Sequence, residues 1–249
     1  MSNRFLQAES LLDQPANAAR LPATDLQLKH QRPYWAEGVS QTGCILAVPL
    51  RQKLQDHRNP AASGWGLAYQ QLKLPRYREW SAVVIYGRQI LKDLYLGVSA
   101  GAGGKKLPEN DPQRSLHAQL GFVWRYGQWC SGGGILLQQY IDVPEIAKPA
   151  AYSFLVTAGR DLSREAYAGL ELGFTPQGVS VKTAILFRPL QQVQAAVQLQ
   201  TLPVRLAVET GYIQKRWQVF LYGMMVPALG WTPGLRLGFG FPAKTITHE

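Results

Sequence analysis

The sequence predicts an all-β protein, a transmembrane antiparallel up-and-down β-barrel of about 14 strands, within a range of roughly 12–14. Apolar residues alternate with polar or small ones through Val193–Gln200 and again through Val204–Tyr212, which gives a strand one apolar and one polar face. Such segments recur from Ala151 to Phe241 with short turns between them, close to the ~9–11 residues that a membrane-crossing strand needs. The chain is 46% hydrophobic, yet it contains no apolar run near the ~18 residues of a transmembrane helix.

The predicted organisation is an N-terminal leader segment (1–22), a β-barrel (23–241) and a C-terminal tail (242–249). In the leader we expect one helical turn around Phe5–Leu12, followed by the turn-rich Gln14–Asn17. The strand candidates are 23–35, 42–52, 63–74, 78–90, 94–104, 115–127, 129–141, 151–161, 165–175, 179–189, 193–202, 204–214, 216–227 and 231–241. Longer loops are predicted at Arg51–Ser63, Lys105–Arg114 and Asp142–Pro149.

The polar faces of the predicted strands carry Gly, Ala, Gln and isolated charges of both signs. A water-facing sheet of a soluble protein usually has more Lys, Glu and Thr and less Gly. A soluble sandwich is the alternative, although a dozen or more regular strands would overfill one. Charges in the lumen would form ion pairs across the bore or line a pore and bias it toward anions. The candidate lumen charges are Arg125, Glu165, Glu171, Lys182, Arg188, Arg205, Glu209 and Arg236.

Many aromatic residues lie near predicted strand ends. Amphipathic rings at strand ends form the interfacial girdle of a membrane barrel, whereas Trp and Tyr also favour strands of any kind. The candidate girdle residues are Tyr34, Trp35, Tyr77, Trp80, Tyr126, Trp129, Tyr140, Tyr152, Tyr212, Trp217 and Trp231.

The net charge of +10 and the pI near 9.7 suit anionic lipid headgroups, an acidic protein or nucleic acid. Nucleic-acid binding requires clustered Lys and Arg with aromatics on one element, but here the basic residues are spread along the segments. We therefore expect membrane lipid as a partner and no nucleic acid.

One catalytic pattern occurs, the G-x-S-x-G sequence of Gly97–Gly101. A nucleophile elbow needs a strand, a sharp turn and a helix, and residues 102–106 are a poor helix start. The alternative is a plain strand whose inner face carries Tyr95, Gly97, Ser99 and Gly101. His117 is the nearest usable base if Ser99 were a nucleophile.

Other chemistry finds little support. Gly104-Lys105 fails as a P-loop, because Lys106 stands where Ser or Thr must bind magnesium. The two cysteines, Cys44 and Cys130, have no metal-ligand spacing and are free thiols or one disulfide. We therefore expect a non-enzymatic protein without catalytic residues, metal or cofactor.

The predicted localisation is the outer membrane, as a multi-pass β-barrel. Export to that membrane normally uses a signal peptide, and none is visible in Met1–Arg20, which lacks an apolar h-region.

Several motifs resemble the PorP/SprF family of outer-membrane barrels associated with type IX secretion and gliding. Asp13–Ala19 resembles the Asn-Pro-Ala-rich N-terminal stretch of that family, and Leu28–Trp35 is similar to its first strand. His117–Tyr126, continuing through Gly132–Leu137 to Val143-Pro144, resembles its mid-barrel hairpin, and Ala151–Arg160 resembles the strand that follows.

This resemblance implies a non-enzymatic anchor or accessory subunit in a membrane protein complex for protein secretion or gliding motility. Its partners would be a secreted or surface-exposed protein and other secretion-system subunits, bound by the three longer loops. The alternatives are an outer-membrane porin or substrate channel, and a barrel-embedded hydrolase using Ser99. An open lumen with one charge sign favours the channel, a filled bore favours the anchor, and a hydrogen bond between Ser99 and a histidine favours the enzyme.

Overall fold

The computed structural model describes residues 8–51, 62–107, 112–141, 151–214, 216–227 and 229–241. Its strands form one closed antiparallel barrel, in which each strand pairs with the next and the last pairs with the first. The fourteen strands are β1 (Thr24–Gln31), β2 (Ser40–Arg51), β3 (Ala62–Leu74), β4 (Tyr77–Leu91), β5 (Leu94–Lys106), β6 (Gln113–Tyr126), β7 (Trp129–Tyr140), β8 (Ala151–Asp161), β9 (Ala166–Thr175), β10 (Gly178–Leu190), β11 (Val193–Thr201), β12 (Val204–Gln214), β13 (Trp217–Val226) and β14 (Gly230–Phe241). The predicted fold class is confirmed.

The outer face of the barrel is an apolar belt. Along β6, Leu116, Leu120 and Trp124 are exposed, whereas Ser115 and Val123 on the opposite face of the strand are buried. The same alternation leaves Ile185 58% and Leu221 60% exposed on other strands, so the belt continues around the barrel. A continuous apolar surface of this kind is unstable in water and matches the hydrocarbon layer of a bilayer. The architecture is therefore that of outer-membrane β-barrels and not that of a soluble sandwich.

The first strand is shorter than predicted. The alternation predicted a strand over 23–35, but β1 ends at Gln31 and a 3-10 turn, Pro33–Trp35, follows it. Pro33 has no N–H to donate to a ladder, and Tyr34 adopts a positive φ of 55°.

Among the described residues, no helix has the length and apolar character to span a membrane.

The connections alternate between the two ends of the barrel. We call the end where β1 begins and β14 stops the proximal end, and the opposite end the distal end. The predicted loop Arg51–Ser63 joins β2 to β3 at the proximal end, whereas Lys105–Arg114 and Asp142–Pro149 join their strands at the distal end. Residues 52–61, 108–111 and 142–150 of these loops lie outside the described residues. The described strand ends therefore flank the first of these loops at one end of the barrel and the other two at the opposite end.

The N-terminal segment lies inside the barrel. This segment, Ala8–Arg20, is here called the plug, and it consists of the helical turn α1 (Ser10–Asp13) and the 3-10 helix Pro15–Arg20. Its residues Leu11, Ala16 and Ala18 are fully buried. The predicted helical turn around Phe5–Leu12 begins at Ser10 instead, and residues 1–7 lie outside the described part of the chain. The tail predicted over 242–249 is also outside it.

Candidate functional site: a plugged lumen

The plug is hydrogen-bonded to opposite walls of the barrel. At its start, the Ala8 N–H donates to Asp25 Oδ2 of β1 at 3.1 Å. At its middle, Gln14 Nε2 donates to the carbonyl oxygens of Phe122 on β6 and Gly133 on β7, each at 3.1 Å. Strands β6 and β7 lie across the barrel from β1. The plug therefore spans the bore and is not attached to one wall alone.

Two plug carboxylates form ion pairs with wall cations. Glu9 Oε1 lies 2.6 Å from Lys29 Nζ of β1, and Glu9 Oε2 pairs with Arg236 of β14. One helical turn later, Asp13 Oδ2 lies 3.6 Å from Lys182 Nζ of β10. The helical turn α1 is thus held by charge on three strands of one half of the barrel.

Each of two wall cations also pairs with a wall carboxylate. Arg236 Nη2 lies 2.7 Å from Glu209 Oε1, and Lys182 Nζ lies 3.8 Å from Glu171 Oε2. The Arg236 side chain is only 5% exposed, so its charge is compensated by Glu209 on the wall and Glu9 on the plug. Loss of either carboxylate leaves a buried guanidinium with half of its partners, which is costly in a low-dielectric interior.

The structure brings together half of the predicted lumen charges. Glu171, Lys182, Glu209 and Arg236 form the two clusters just described, and Arg188 Nη2 donates to Gln194 Oε1 at 2.8 Å. Within the described part of the chain, no ion pair involves the remaining predicted charges. These are Arg125, Glu165 and Arg205.

The electrostatic environment keeps Glu9 ionised. Burial raises the pKa of this carboxyl, but the neighbouring cations Lys29 and Arg236 outweigh burial and lower the pKa from 4.5 to about 2. At neutral pH the carboxylate is therefore charged, and both of its ion pairs are formed.

A row of glycines forms the seat of the 3-10 helix. Gly64, Gly87, Gly97 and Gly121 face one another directly across β3, β4, β5 and β6. A Cβ atom built on Gly87 would lie 2.9 Å from the Pro15 carbonyl oxygen. At the other three positions it would collide with atoms of the plug. Only glycine lets a strand backbone approach another backbone this closely.

The end of the plug carries a buried cation. Arg20 is 5% exposed, and its Nη1 donates to Asn17 Oδ1 at 2.9 Å and contacts Cys130 Sγ at 3.7 Å. The guanidinium carbon lies 5.6 Å from the centre of the Tyr95 ring, within the range of a cation–π interaction.

Cys44 and Cys130 are both free thiols. The sequence allowed either free thiols or one disulfide, and the disulfide is wrong.

The plug separates two recesses in the lumen. The distal recess is small, with a volume of about 20 Å³, and most of its lining residues are polar. Its lining residues are Glu9, Gln27, Lys29, Gln41, Thr42, Gly43, Ile45, Gln70 and Arg236. The proximal recess is larger, with a volume of about 260 Å³, and it adjoins Arg20, Tyr95 and the ends of β2 and β3.

The serine of the G-x-S-x-G sequence is an ordinary strand residue. Strand β5 continues through Ser99 without a turn to Lys106, so the inner face of Tyr95, Gly97, Ser99 and Gly101 is confirmed and the elbow is absent. His117 lies opposite Gly101, and Ser99 lies opposite Gln119. No hydrogen bond joins Ser99 to His117 in the described structure, which removes the geometric argument for the hydrolase alternative.

Seven of the predicted girdle residues point outward near the two ends of the barrel. Tyr77 and Tyr140 instead share the inner face, where Tyr77 Oη donates to a Glu79 oxygen at 2.5 Å and Gln138 donates to Tyr140 Oη at 3.2 Å. Tyr34 lies in the β1–β2 connection, and only the backbone of Trp35 is described. The outward and exposed ones are Trp80, Tyr152 and Trp231 toward the distal end and Tyr126, Trp129, Tyr212 and Trp217 toward the proximal end.

Sequence reasoning missed the plug residues that complete the site. Glu9, Asp13 and Gln14 belong to a segment predicted only as a leader, and Lys29 was not among the candidate charges. One signal was present: the carboxylates Glu9 and Asp13 are spaced one helical turn apart.

No protein-family model matches the sequence, and no curated protein is significantly similar to it. The fold is similar to that of the P. putida toluene transporter TodX, with a TM-score of 0.65 at 8% sequence identity over 96% of this chain and 95% of TodX. It is also similar to a deltaS2 mutant of TodX, described as a monoaromatic hydrocarbon channel, with a TM-score of 0.60 at 9% identity over 93% of this chain and 92% of that one. At this level of identity, the similarity establishes a shared barrel fold.

Proposed function

We propose that this protein is an outer-membrane channel for small polar solutes, closed by its plug in the conformation described. A filled bore also fits an anchor, so the observation that carries the channel is how the plug is held: by side-chain hydrogen bonds and ion pairs and not by strand pairing with the wall. Such contacts can break and reform, since ion pairs and lumen hydrogen bonds exchange with water. The fold similarity to a protein described as a hydrocarbon channel supports a channel over an anchor.

The lumen chemistry argues for polar cargo. Amide side chains occupy the inner face of many strands, in contrast to the apolar lining that a hydrocarbon would need. Amides donate and accept hydrogen bonds, so they replace the hydration of a polar solute. The inward glutamines are Gln27, Gln31, Gln41, Gln70, Gln89, Gln113, Gln119, Gln138, Gln194, Gln198, Gln200 and Gln218.

The test is single-channel conductance in a planar bilayer. The unaltered protein is expected to conduct rarely, and a Glu9→Gln, Asp13→Asn double variant is expected to open at least about tenfold more often, because both plug carboxylates lose their charge. The matched control is Glu79→Gln, which neutralises a lumen carboxylate 3.5 Å from Lys105 and away from the plug. Equal, negligible conductance in the double variant and in a variant lacking residues 8–20 would contradict the proposal.

A second candidate function is the non-enzymatic anchor in a type IX secretion or gliding complex. Its support is the filled bore, together with the PorP/SprF resemblance of the sequence. The distal loops Lys105–Arg114 and Asp142–Pro149 would then contact a secreted or surface-exposed partner. Purification from native membranes in mild detergent tests this function. A large secreted protein or secretion subunits at stoichiometric amounts would favour the anchor, and a lone barrel would count against it.

A further inference from the structure

The outer face of the barrel carries a row of cations at the distal ends of β3, β4 and β5. Lys73 pairs with Arg78 in the register of β3 and β4, and Arg78 pairs with Lys106 in the register of β4 and β5. All three side chains are exposed, and we call them the cation row. They face outward, because Arg78 lies two positions from the outward Trp80 on the same strand. The first outward residue of β6 is also a cation, Arg114.

Most of the remaining strand ends at the distal end are apolar on the outside. On β8–β10 and β12–β14, the outward residue nearest the distal end is apolar or aromatic and is exposed. These residues are Tyr152, Phe174, Val179, Val204, Met225 and Trp231. The cations are therefore concentrated on β3–β6 and are not a general property of the distal strand ends.

No carboxylate among the described residues compensates the cation row. The only acidic residue on β3–β6 is Glu79, which faces the lumen and lies 3.5 Å from Lys105. No residue of the row forms an ion pair within the described part of the chain. Like charges directly opposite each other on neighbouring strands are destabilising. The row is therefore a site for an anion that comes from outside the chain.

The outer surface next to the row is apolar. The indole nitrogen of Trp80 lies over Gly104, where an added Cβ would be 2.6 Å away, so the ring covers β5 just below the row. Further toward the middle of the barrel, Val84 is 57% and Leu116 of β6 52% exposed. A partner that covers both surfaces needs an anionic head and an apolar tail, which is the chemistry of an anionic lipid.

The length of the row indicates more than one anionic group. Neighbouring strands are about 4.8 Å apart, so the backbones of Lys73 and Lys106 are about 10 Å apart across β4. One phosphate can be shared by two neighbouring cations, whereas two phosphates on one headgroup would engage the whole row through charge-assisted hydrogen bonds.

We propose that the cation row binds a lipid whose headgroup carries two phosphate groups, and that the acyl chains of this lipid lie along Trp80 and the apolar belt. The inference goes beyond the proposed function, since the lipid is bound on the outside of the barrel whether or not the lumen conducts. The distal end would then lie in the leaflet that contains this lipid.

The test is native mass spectrometry of the full chain in mild detergent, with diphosphoryl lipid A as the probe and monophosphoryl lipid A as its matched analogue. The unaltered protein is expected to bind the diphosphoryl lipid at least about fivefold more tightly. The Lys73→Gln, Arg78→Gln, Lys106→Gln variant is expected to bind it at least about tenfold more weakly, because each cation near an anionic headgroup contributes roughly fivefold. A Lys73→Arg, Lys106→Arg variant keeps the charges and should retain the affinity.

The matched control removes three exposed cations near the proximal end, with Lys92→Gln, Arg160→Gln and Arg216→Gln. It changes the net charge by the same amount and should leave the affinity unchanged. Equal binding of the two lipids, unchanged binding after loss of the cation row, or an equal loss in the control would overturn the inference. Loss of binding in the variant that keeps the charges would also overturn it, because the row would then act through structure and not through charge.

Discussion

The two halves of the barrel wall hold the plug by different means. On β3–β6 the wall is reduced to glycine, and the 3-10 helix Pro15–Arg20 lies directly against strand backbone. On β1, β10 and β14 the wall reaches the plug with long charged side chains, namely Lys29, Lys182 and Arg236. Close backbone packing tolerates no added atom, whereas ion pairs depend on pH and solvation. Shape therefore sets where the plug sits, and charge sets how easily it leaves.

The largest expected effect comes from filling the glycine seat. Gly97→Leu places a side chain where the backbone of Ala16 lies, and the plug must leave the seat. We expect cleavage of residues 8–20 by an added protease to accelerate by at least about a hundredfold, because a displaced segment is exposed. The control is Gly240→Leu, at a strand position with no atom within 4 Å of an added Cβ. Equal resistance of the plug to cleavage in both variants would contradict the claim that the plug lies against Gly97.

The next largest effect is expected at Arg236 of β14, the buried cation that pairs with the plug. Arg236→Met leaves Glu9 and Glu209 without their shared partner, and Arg236 is 5% exposed. We expect destabilisation of about 3 kcal/mol, within the range for breaking a buried ion pair, measured as a lower thermal unfolding midpoint in detergent. Arg205→Met removes an exposed inner-face charge as the comparison. If both variants unfold at the same temperature, the Arg236 cluster does not stabilise the protein.

Acid is expected to weaken the ion pairs between the plug and β1, β10 and β14 before it weakens the packing of the plug against the glycines of β3–β6. The pKa of Glu9 is about 2 in the folded protein, lowered from its ordinary value of 4.5. Its ion pairs therefore contribute fully above pH 4.5, and their contribution is lost as the pH falls from 4.5 toward 2. Plug cleavage by an acid-active protease should rise across this window in the unaltered protein and should be less pH-dependent in Glu9→Gln. Identical pH profiles would show that Glu9 does not contribute to holding the plug.

The smallest effect is expected at Asp13. Its side chain is 63% exposed, and it lies 3.6 Å from Lys182. Solvent screens such a pair, so Asp13→Asn should cost at most about 1 kcal/mol, measured by the thermal midpoint as above. A loss as large as that of Arg236→Met would mean that the two ends of α1 are held equally strongly.

The barrel was predictable from the sequence because its signal is local. Alternation along segments such as Val193–Gln200 depends on each strand alone, and any strand with that pattern needs lipid on one side. The plug was not predictable in the same way. Gly64, Gly87, Gly97 and Gly121 become a seat only after the register aligns four strands, and Glu9 meets Arg236 from 227 positions away in the chain. Long-range register of this kind leaves no periodic trace in a single sequence.

The prediction for the first strand shows how a local pattern also misleads. Alternation alone predicts a first strand that continues to residue 35, but the strand ends at Gln31, two residues before Pro33. The predicted lumen charges divide for a similar reason. Lys182 and Arg236 lie at the depth of the plug carboxylates and are paired, whereas Glu165 lies in the β8–β9 connection. An odd or even position along a strand determines whether a residue faces the lumen or the lipid. It does not determine how deep along the bore the residue lies.

The central claim, that a removable plug closes the bore, is tested most directly by tethering the plug. A Cβ on Gly66 of β3 would lie 2.9 Å from Leu11 Cδ2 of the plug, so the two positions are in contact, and Leu11→Cys with Gly66→Cys is the pair chosen for cross-linking. The background is the Glu9→Gln, Asp13→Asn variant with Cys44 and Cys130 changed to Ser. The oxidised pair is expected to abolish conductance in a planar bilayer and dithiothreitol to restore it, while each single cysteine has no effect. Equal conductance before and after reduction of a verified disulfide would contradict the claim.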